Sequence, residues 1–186
     1  MIVALTGTDD DAASDLAQQL ALLRTAAGGR VLLMSSPQAP RTRRRQPYDD
    51  IVINAGHTDG GTGSMALAMA GVIVVLVRPC DLEAGGQEAL LSRVRHAIEI
   101  NPGARVLVSV ANETRQLSPQ AVGSILVFVA QISSARLADM LVLDDSGLYH
   151  TRHSVLARAS QDDGDAMCAP EVRHLYRQVF QGVQPE

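Results

Sequence analysis

Short apolar runs alternate with helix-forming segments along most of this chain. The runs predicted as strands are residues 2–5, 30–34, 48–55, 72–77, 105–111 and 140–143. Runs without polar alternation are typical of strands that are buried on both faces of a parallel sheet. The segments predicted as helices are residues 12–27, 64–70, 81–100, 118–132, 148–159 and 170–181. This order predicts a single α/β domain over residues 1–186, a three-layer α/β/α sandwich with a mainly parallel sheet.

One of these predicted helices could instead be a strand. Residues 124–132, SILVFVAQI, are also compatible with a strand by their composition. Pro119 directly after Ser118 favours a helix start, because proline at the first helical position lacks only a donor that would be unsatisfied anyway. We therefore expect a helix that ends at residue 129 or 132.

The composition argues against several classes of function. A net charge of −4 gives no overall attraction to nucleic acid, and 3% aromatic residues do not suit a base-stacking surface. No apolar run reaches the roughly 18 residues that cross a bilayer, so a membrane role is not expected. Without a signal peptide the chain is expected to be cytoplasmic, with Cys80 and Cys168 as free thiols.

The first strand leads into a junction of the kind that holds phosphates in nucleotide-binding α/β proteins. There, a glycine-rich loop and helix N-terminal amides cradle the anion, and a lysine neutralises it. Residues 1–15, MIVALTGTDDDAASD, contain one loop glycine, Gly7, followed by Asp9, Asp10 and Asp11. All 16 basic residues of the chain are arginine, so no lysine is available. The order of strand, loop and helix is that of a phosphate site, but the glycine-rich loop and the lysine that bind phosphate are missing.

Four segments carry a resemblance to a known family. Residues 8–15, TDDDAASD, occupy the span of the motif KGGVGKTT, and residues 28–38, GGRVLLMSSPQ, resemble GRRVLLIDADPQ. Residues 48–56, YDDIVINAG, correspond to YDYVVIDGPP, and residues 75–86, VLVRPCDLEAGG, to LIPVQPSPYDVWA. Over nearly its whole length the chain resembles the ParA/MinD family of deviant Walker ATPases, most of all the short ParA-like partition proteins. The resemblance implies a P-loop NTPase-like fold of the SIMIBI type.

The departures from that family coincide with its nucleotide loop. Thr8 corresponds to the lysine that reaches across the family's dimer, and Ala13 corresponds to the Walker A lysine. Ser14 matches the hydroxyl that binds magnesium. The resemblance therefore identifies a degenerate nucleotide loop made of Gly7, Thr8, Asp9, Asp10, Asp11, Ala12, Ala13 and Ser14.

The acidic positions of the family are lost as well. Ser35 or Ser36 stands where relatives have an acidic residue after the second strand, and Asn54 replaces the Walker B aspartate. Phosphoryl transfer depends on positioning a metal and a transferring group electrostatically. Under the resemblance, loss of all these charges predicts a pseudo-ATPase that has no catalytic residues, no cofactor and no metal site.

The acidic triplet and Asn54 each have two interpretations. Residues 9–11 are expected to cap the following helix, while a cation site or an acidic surface for a partner are the alternatives. Asn54 is expected to close a turn; the alternative is that it binds a ligand at the sheet edge.

Arginine side chains carry the positive charge of this chain. Arg41, Arg43, Arg44 and Arg45 form a dense basic run, interpreted either as a solvated loop or as a contact for DNA or an acidic partner. Arg78, or an arginine of that loop, could stand in for lysine in an active but atypical NTPase.

The apolar stripe of residues 170–181 is expected to pack on the domain itself, although MinD-type relatives use such a helix on membranes. The function expected from the sequence is a protein-binding module in partition, positioning or assembly of a cellular machine. Its expected partners are an active ParA-like paralogue, another protein, or a second copy in a nucleotide-independent homodimer.

Overall fold

The computed structural model describes residues 1–34, 48–56, 61–83, 87–113, 116–142 and 169–181. The strands are β1 Ile2–Gly7, β2 Val31–Met34, β3 Asp50–Asn54, β4 Val72–Val77, β5 Arg105–Asn112, β6 Ala135–Leu137 and β7 Leu141–Val142. The helices are α1 Asp10–Ala26, α2 Gly61–Met69, α3 Pro79–Glu83, α4 Glu88–Ile100, α5 Pro119–Ala130 and α6 Pro170–Phe180. The expected alternation of strands and helices is therefore present.

The strands form one sheet in the order β2-β3-β1-β4-β5-β6, and β7 also pairs with β5. Every pairing among the described strands is parallel. The strand β4 lies between β1 and β5 and is buried along its whole length, which explains its unbroken apolar sequence VIVVLV. Alternate β4 side chains enter two different cores, Val74 on one side and Ile73 on the other.

Helices cover both faces of the sheet, and this makes the three layers. The helices α1 and α6 pack on one face around Leu16, Leu20 and Leu175. On the other face, α2, α4 and α5 enclose a second core that contains Leu67 and the fully buried Phe128. The described part of the chain is thus a three-layer arrangement with a parallel sheet, as its sequence predicts.

Several predicted boundaries are wrong. The helix α1 begins at Asp10 rather than at residue 12, because Asp9 caps it. Two helices, α3 and α4, replace the single helix predicted over residues 81–100, and the sequence between them includes Gly85 and Gly86, which have poor helix propensity. Strand β6 was not predicted, since three residues are too few to give a pattern. The helix predicted over residues 148–159 lies outside the described residues.

The C-terminal helix α6 packs on the domain, as its apolar stripe predicts. Val172, Leu175 and Val179 are fully buried in the core that α1 shares. Arg105 donates to the carbonyl oxygens of Gln178 and Val179, which lie at the C-terminal end of α6, where a cation interacts favourably with the helix dipole. Among the described residues, no helix is both long enough and apolar enough to cross a membrane.

Candidate functional site

Two connections leave the centre of the sheet in opposite directions. The strands β1 and β4 are neighbours, but the chain passes from β1 towards β2 on one side and from β4 towards β5 on the other. In open α/β sheets, ligands bind at the carboxyl ends of the strands where the connections diverge in this way. The residues that follow β1 and β4 therefore form the candidate site.

The connection from β1 to α1 is very short. Gly7 ends the strand and Asp10 begins the helix, so only Thr8 and Asp9 lie between them. A phosphate-binding loop of the form GxxxxGK needs several residues whose amides wrap around the anion. Of the residues expected in that loop, Asp10, Asp11, Ala12, Ala13 and Ser14 are helical. No loop long enough to wrap around an anion therefore lies between β1 and α1.

Asp9 occupies the anion position at the start of α1. One oxygen of its side chain accepts hydrogen bonds from the amides of Asp11 at 3.0 Å and of Ala12 at 3.1 Å. These are two of the amides that would face a bound phosphate at a helix N-terminus. The expected capping role of the acidic triplet is present for Asp9, whose backbone is extended as a cap requires.

Arg78, the first residue after β4, neutralises this carboxylate. Its Nη1 lies 2.9 Å from Oδ2 of Asp9, and its Nε lies 3.0 Å from Oδ2 of Asp81 in α3. Thr8 also hydrogen-bonds to Asp81 through its side chain. The four residues Thr8, Asp9, Arg78 and Asp81 therefore link the two connections; we call them the Arg78 cluster.

The contacts within the cluster shift the pKa values of Asp81 and Arg78. Burial alone would raise the pKa of Asp81, but the hydrogen bonds from Arg78 and Thr8 and the Arg78 charge outweigh it, so the net pKa is lowered. The hydrogen bond to Asp81 in turn raises the pKa of Arg78. Both groups are charged at neutral pH, and the positive charge of Arg78 is shared between two carboxylates.

Asp81→Asn is expected to lower the melting temperature by about 2–4 °C at pH 7, because a half-exposed ion pair is worth about 1 kcal/mol. The pKa of Asp81 is lower in the folded chain than its ordinary value of 3.8. Its carboxylate therefore stabilises the fold above that pH, and the contribution is lost as the pH falls through the folded pKa. Melting curves of both proteins should converge in acid; a gap that stays constant below about pH 4 would contradict the role of this ion pair.

Asn54, at the end of β3, closes a turn. Its side-chain oxygen accepts from the amide of Gly56 at 3.0 Å, while its amide group lies 3.4 Å from the carbonyl oxygen of Asp10. The first contact is the one expected for a turn-forming asparagine. The second connects the end of β3 to the first turn of α1. Asn54 is largely buried, so its exposure to a ligand is small.

The sequence analysis missed Arg93, which reaches this edge of the sheet from α4. Its guanidinium group donates to the hydroxyl of Thr6 at 3.0 Å and to the carbonyl oxygen of Gly56 at 2.9 Å. Thr6 itself donates to the same carbonyl at 2.9 Å. Arg93 is only 8% exposed. The sequence pattern could have indicated a buried Arg93, because this arginine lies among the apolar residues that form the inward-facing side of α4.

The other predicted site positions are distributed as follows. Ala13, which the sequence resemblance aligns with the Walker A lysine, is fully buried among apolar side chains of the core. Ser14 is partly buried on α1. Ser35, Ser36, Arg41, Arg43, Arg44 and Arg45 lie outside the described residues.

An apolar cavity of about 200 Å³ lies beside the site, between the ends of β2 and β3 and the helix α2. Its described lining is Met34, Ile53, Asn54, Ala55, Gly63, Met65, Ala66 and Met69. Asn54 supplies the polar group, whereas phosphates need several donors or cations. The lining suits an apolar group better than a nucleotide phosphate, and its methionines can adapt to different shapes.

No group of three or more His, Cys, Asp or Glu side chains within the described segments is placed to hold a metal ion. Cys80 is an exposed free thiol. No protein-family model matches the chain, and a search of curated proteins finds none with significant similarity.

Proposed function

We propose that this chain is a degenerate ParA/MinD-like domain of the P-loop NTPase type that does not hydrolyse ATP and acts as a protein-binding module. The proposal rests on the four segments of sequence resemblance together with the geometry of the candidate site. Its biological setting would be the partition, positioning or assembly of a cellular machine in the cytoplasm.

The observation that carries the proposal is the intramolecular occupation of the anion position. The carboxylate of Asp9 takes the amides of Asp11 and Ala12 and also pairs with Arg78 at 2.9 Å. A polyphosphate would have to displace Asp9 and would then lie against Asp10, Asp11 and Asp81. Like charges at that distance oppose binding, and the chain has no lysine to offset them.

The same geometry disfavours the alternative in which Arg78 replaces the family's lysine. An arginine that stabilises a transferring phosphate must be able to reach it. Arg78 is engaged by Asp81 and Asp9, on either side of the connection that would hold the phosphate. Recruiting Arg78 for ATP would cost both of these contacts.

The apolar cavity beside Asn54 supports a binding role. Met65 and Met69 of α2 are 62% and 59% exposed at its rim. Exposed methionines next to a concave apolar surface are typical of sites that accept apolar side chains of other proteins. The partner in this proposal is another protein or an active ParA-like paralogue, which would contact the surface without needing nucleotide.

Isothermal titration of the purified chain with ATP and Mg²⁺, and in parallel with ADP, tests the proposal. We expect no binding heat even at about millimolar nucleotide, which corresponds to less than about 4 kcal/mol of binding free energy. Micromolar binding by the wild-type chain would overturn the pseudo-ATPase assignment.

A matched pair of variants tests the reason for the lack of binding. Asp9→Ala and Asp11→Ala each remove one negative charge, but only Asp9→Ala removes the side-chain oxygen that accepts from the amides of Asp11 and Ala12 and the carboxylate that contacts Arg78. We expect measurable binding of inorganic phosphate by Asp9→Ala, with Nη1 of Arg78 free to pair with it, and none by Asp11→Ala. Equal behaviour of the two variants would mean that total charge, rather than occupation of the site by Asp9, excludes anions.

A further inference from the structure

Three of the six methionines of this chain lie around one cavity. Met34, Met65 and Met69 all line the apolar cavity of about 200 Å³ beside Asn54. Met65 and Met69 are four residues apart on α2, so their side chains lie on the same side of that helix, one turn apart. Met34 is the last residue of β2 and borders the cavity from the sheet. The three methionines therefore enclose one small space from two sides.

The rest of the described lining leaves room for these side chains. Ala55, Gly63 and Ala66 are small, and the described lining contains no carboxylate, imidazole or thiol group. A methionine side chain has three rotatable bonds, so its sulfur can change position without movement of the backbone. Within the described lining, thioether sulfur is therefore the main side-chain ligand that a metal ion would find.

The chemistry of thioether sulfur selects the ion. Thioethers are soft ligands that suit Cu(I), whereas Mg²⁺ and Ca²⁺ require oxygen ligands and Zn²⁺ is bound by imidazole, thiolate or carboxylate groups. A singly charged ion also enters an apolar cavity at a lower desolvation cost than a divalent ion. We propose that Met34, Met65 and Met69 form a Cu(I) site, with one thioether sulfur from each as ligand. Met65 and Met69 are 62% and 59% exposed, which gives the ion an entry path from solvent.

This Cu(I) site goes beyond the proposed function and does not rest on it. Binding of the ion needs neither nucleotide nor a protein partner. An apolar side chain of a partner and a bound ion would contact the same methionines, so the two occupants exclude each other. Failure of Cu(I) binding would leave the pseudo-ATPase proposal unchanged, and nucleotide binding by the chain would leave the Cu(I) site unchanged.

Anaerobic titration of the full chain with Cu(I), in competition with a coloured Cu(I) chelator, tests the site. Thiolates also bind Cu(I), so the titrated chain carries Cys80→Ser and Cys168→Ser, which remove both thiols. We expect one Cu(I) per chain, which an excess of Zn²⁺ does not displace. No Cu(I) binding by this thiol-free chain, or displacement of the Cu(I) by Zn²⁺, would overturn the proposal.

Methionine-to-leucine variants of the thiol-free chain identify the ligands, because leucine keeps the apolar volume and removes the sulfur. Loss of an outer-shell partner of a metal site already costs about 10–100-fold in affinity. Met65→Leu and Met69→Leu should therefore each weaken Cu(I) binding at least about tenfold, and the double variant should abolish it. The matched control is Met140→Leu, since Met140 packs on the same core outside the described lining. Equal losses from Met140→Leu and Met65→Leu would exclude the site.

A second measurement reports on each sulfur directly and guards against misfolded variants. In the thiol-free chain with ¹³C-labelled methionine methyl groups, the signals of Met34, Met65 and Met69 should shift when Cu(I) is added, and the signal of Met140 should not. The leucine variants assign the signals, and their melting temperatures should stay close to that of the thiol-free chain. A shift that leaves the Met34 signal unchanged would exclude the three-sulfur arrangement.

Discussion

Gly7→Ala is expected to destabilise the fold by about 3 kcal/mol, which lowers the melting temperature by about 6–12 °C for a chain of this size. A Cβ at this position would lie 2.4 Å from the backbone oxygen of Leu76 and 3.1 Å from its Cβ. Gly7 and Leu76 are partners in the β1–β4 ladder, so relief of the clash requires the two central strands to separate. Thermal and urea unfolding of the variant and the wild-type chain would measure the loss.

Gly123→Ala is the matched control for this substitution. Its Cβ would meet no atom within 4 Å, and alanine is the better helix former by about 1 kcal/mol. The control should therefore be as stable as the wild-type chain or slightly more stable. If Gly7→Ala behaved like Gly123→Ala, the close approach of β1 and β4 at the candidate site would be incorrect.

Asp50→Ala is expected to cost about 2–3 kcal/mol, or about 4–12 °C in melting temperature. The carboxylate of Asp50 is buried and lies 2.6 Å from Nε of Arg24. That arginine also hydrogen-bonds to Tyr176 and stacks 5.4 Å from the ring centroid of Phe180 in α6. Removal of Asp50 leaves a partly buried guanidinium without its main counter-charge where α1, β3 and α6 meet.

The neighbouring Asp49 provides the control. It pairs with Arg30 at 2.8 Å, but both side chains are well exposed, at 43% and 60%. Solvent-exposed ion pairs contribute little to stability because water and salt screen them. Asp49→Ala should therefore shift the melting temperature far less than Asp50→Ala. Comparable losses from the two variants would show that the location of the ion pair, buried or exposed, does not decide its contribution.

Local chemistry accounts for what could be predicted from the sequence. The strand Val72–Val77 was predicted with its exact bounds, because a short unbroken apolar run rich in β-branched residues is typical of a strand covered on both faces. The start of α5 at Pro119 follows from the Ser118 cap, whose side chain accepts from the amide of Ala121. The lack of lysine is known from the composition alone and does not depend on the fold.

The contacts of the candidate site depended on the tertiary structure. Arg93 and Thr6 are 87 residues apart in the chain and meet only because α4 packs against the sheet beside β1. Arg78 and Asp9 meet because β1 and β4 are neighbours, although two strands separate them in sequence. Periodicity identifies which face of an element is buried, but not which element covers it. The sequence by itself thus determined the layers and the absence of lysine, while the order of the strands decided which arginine neutralises Asp9.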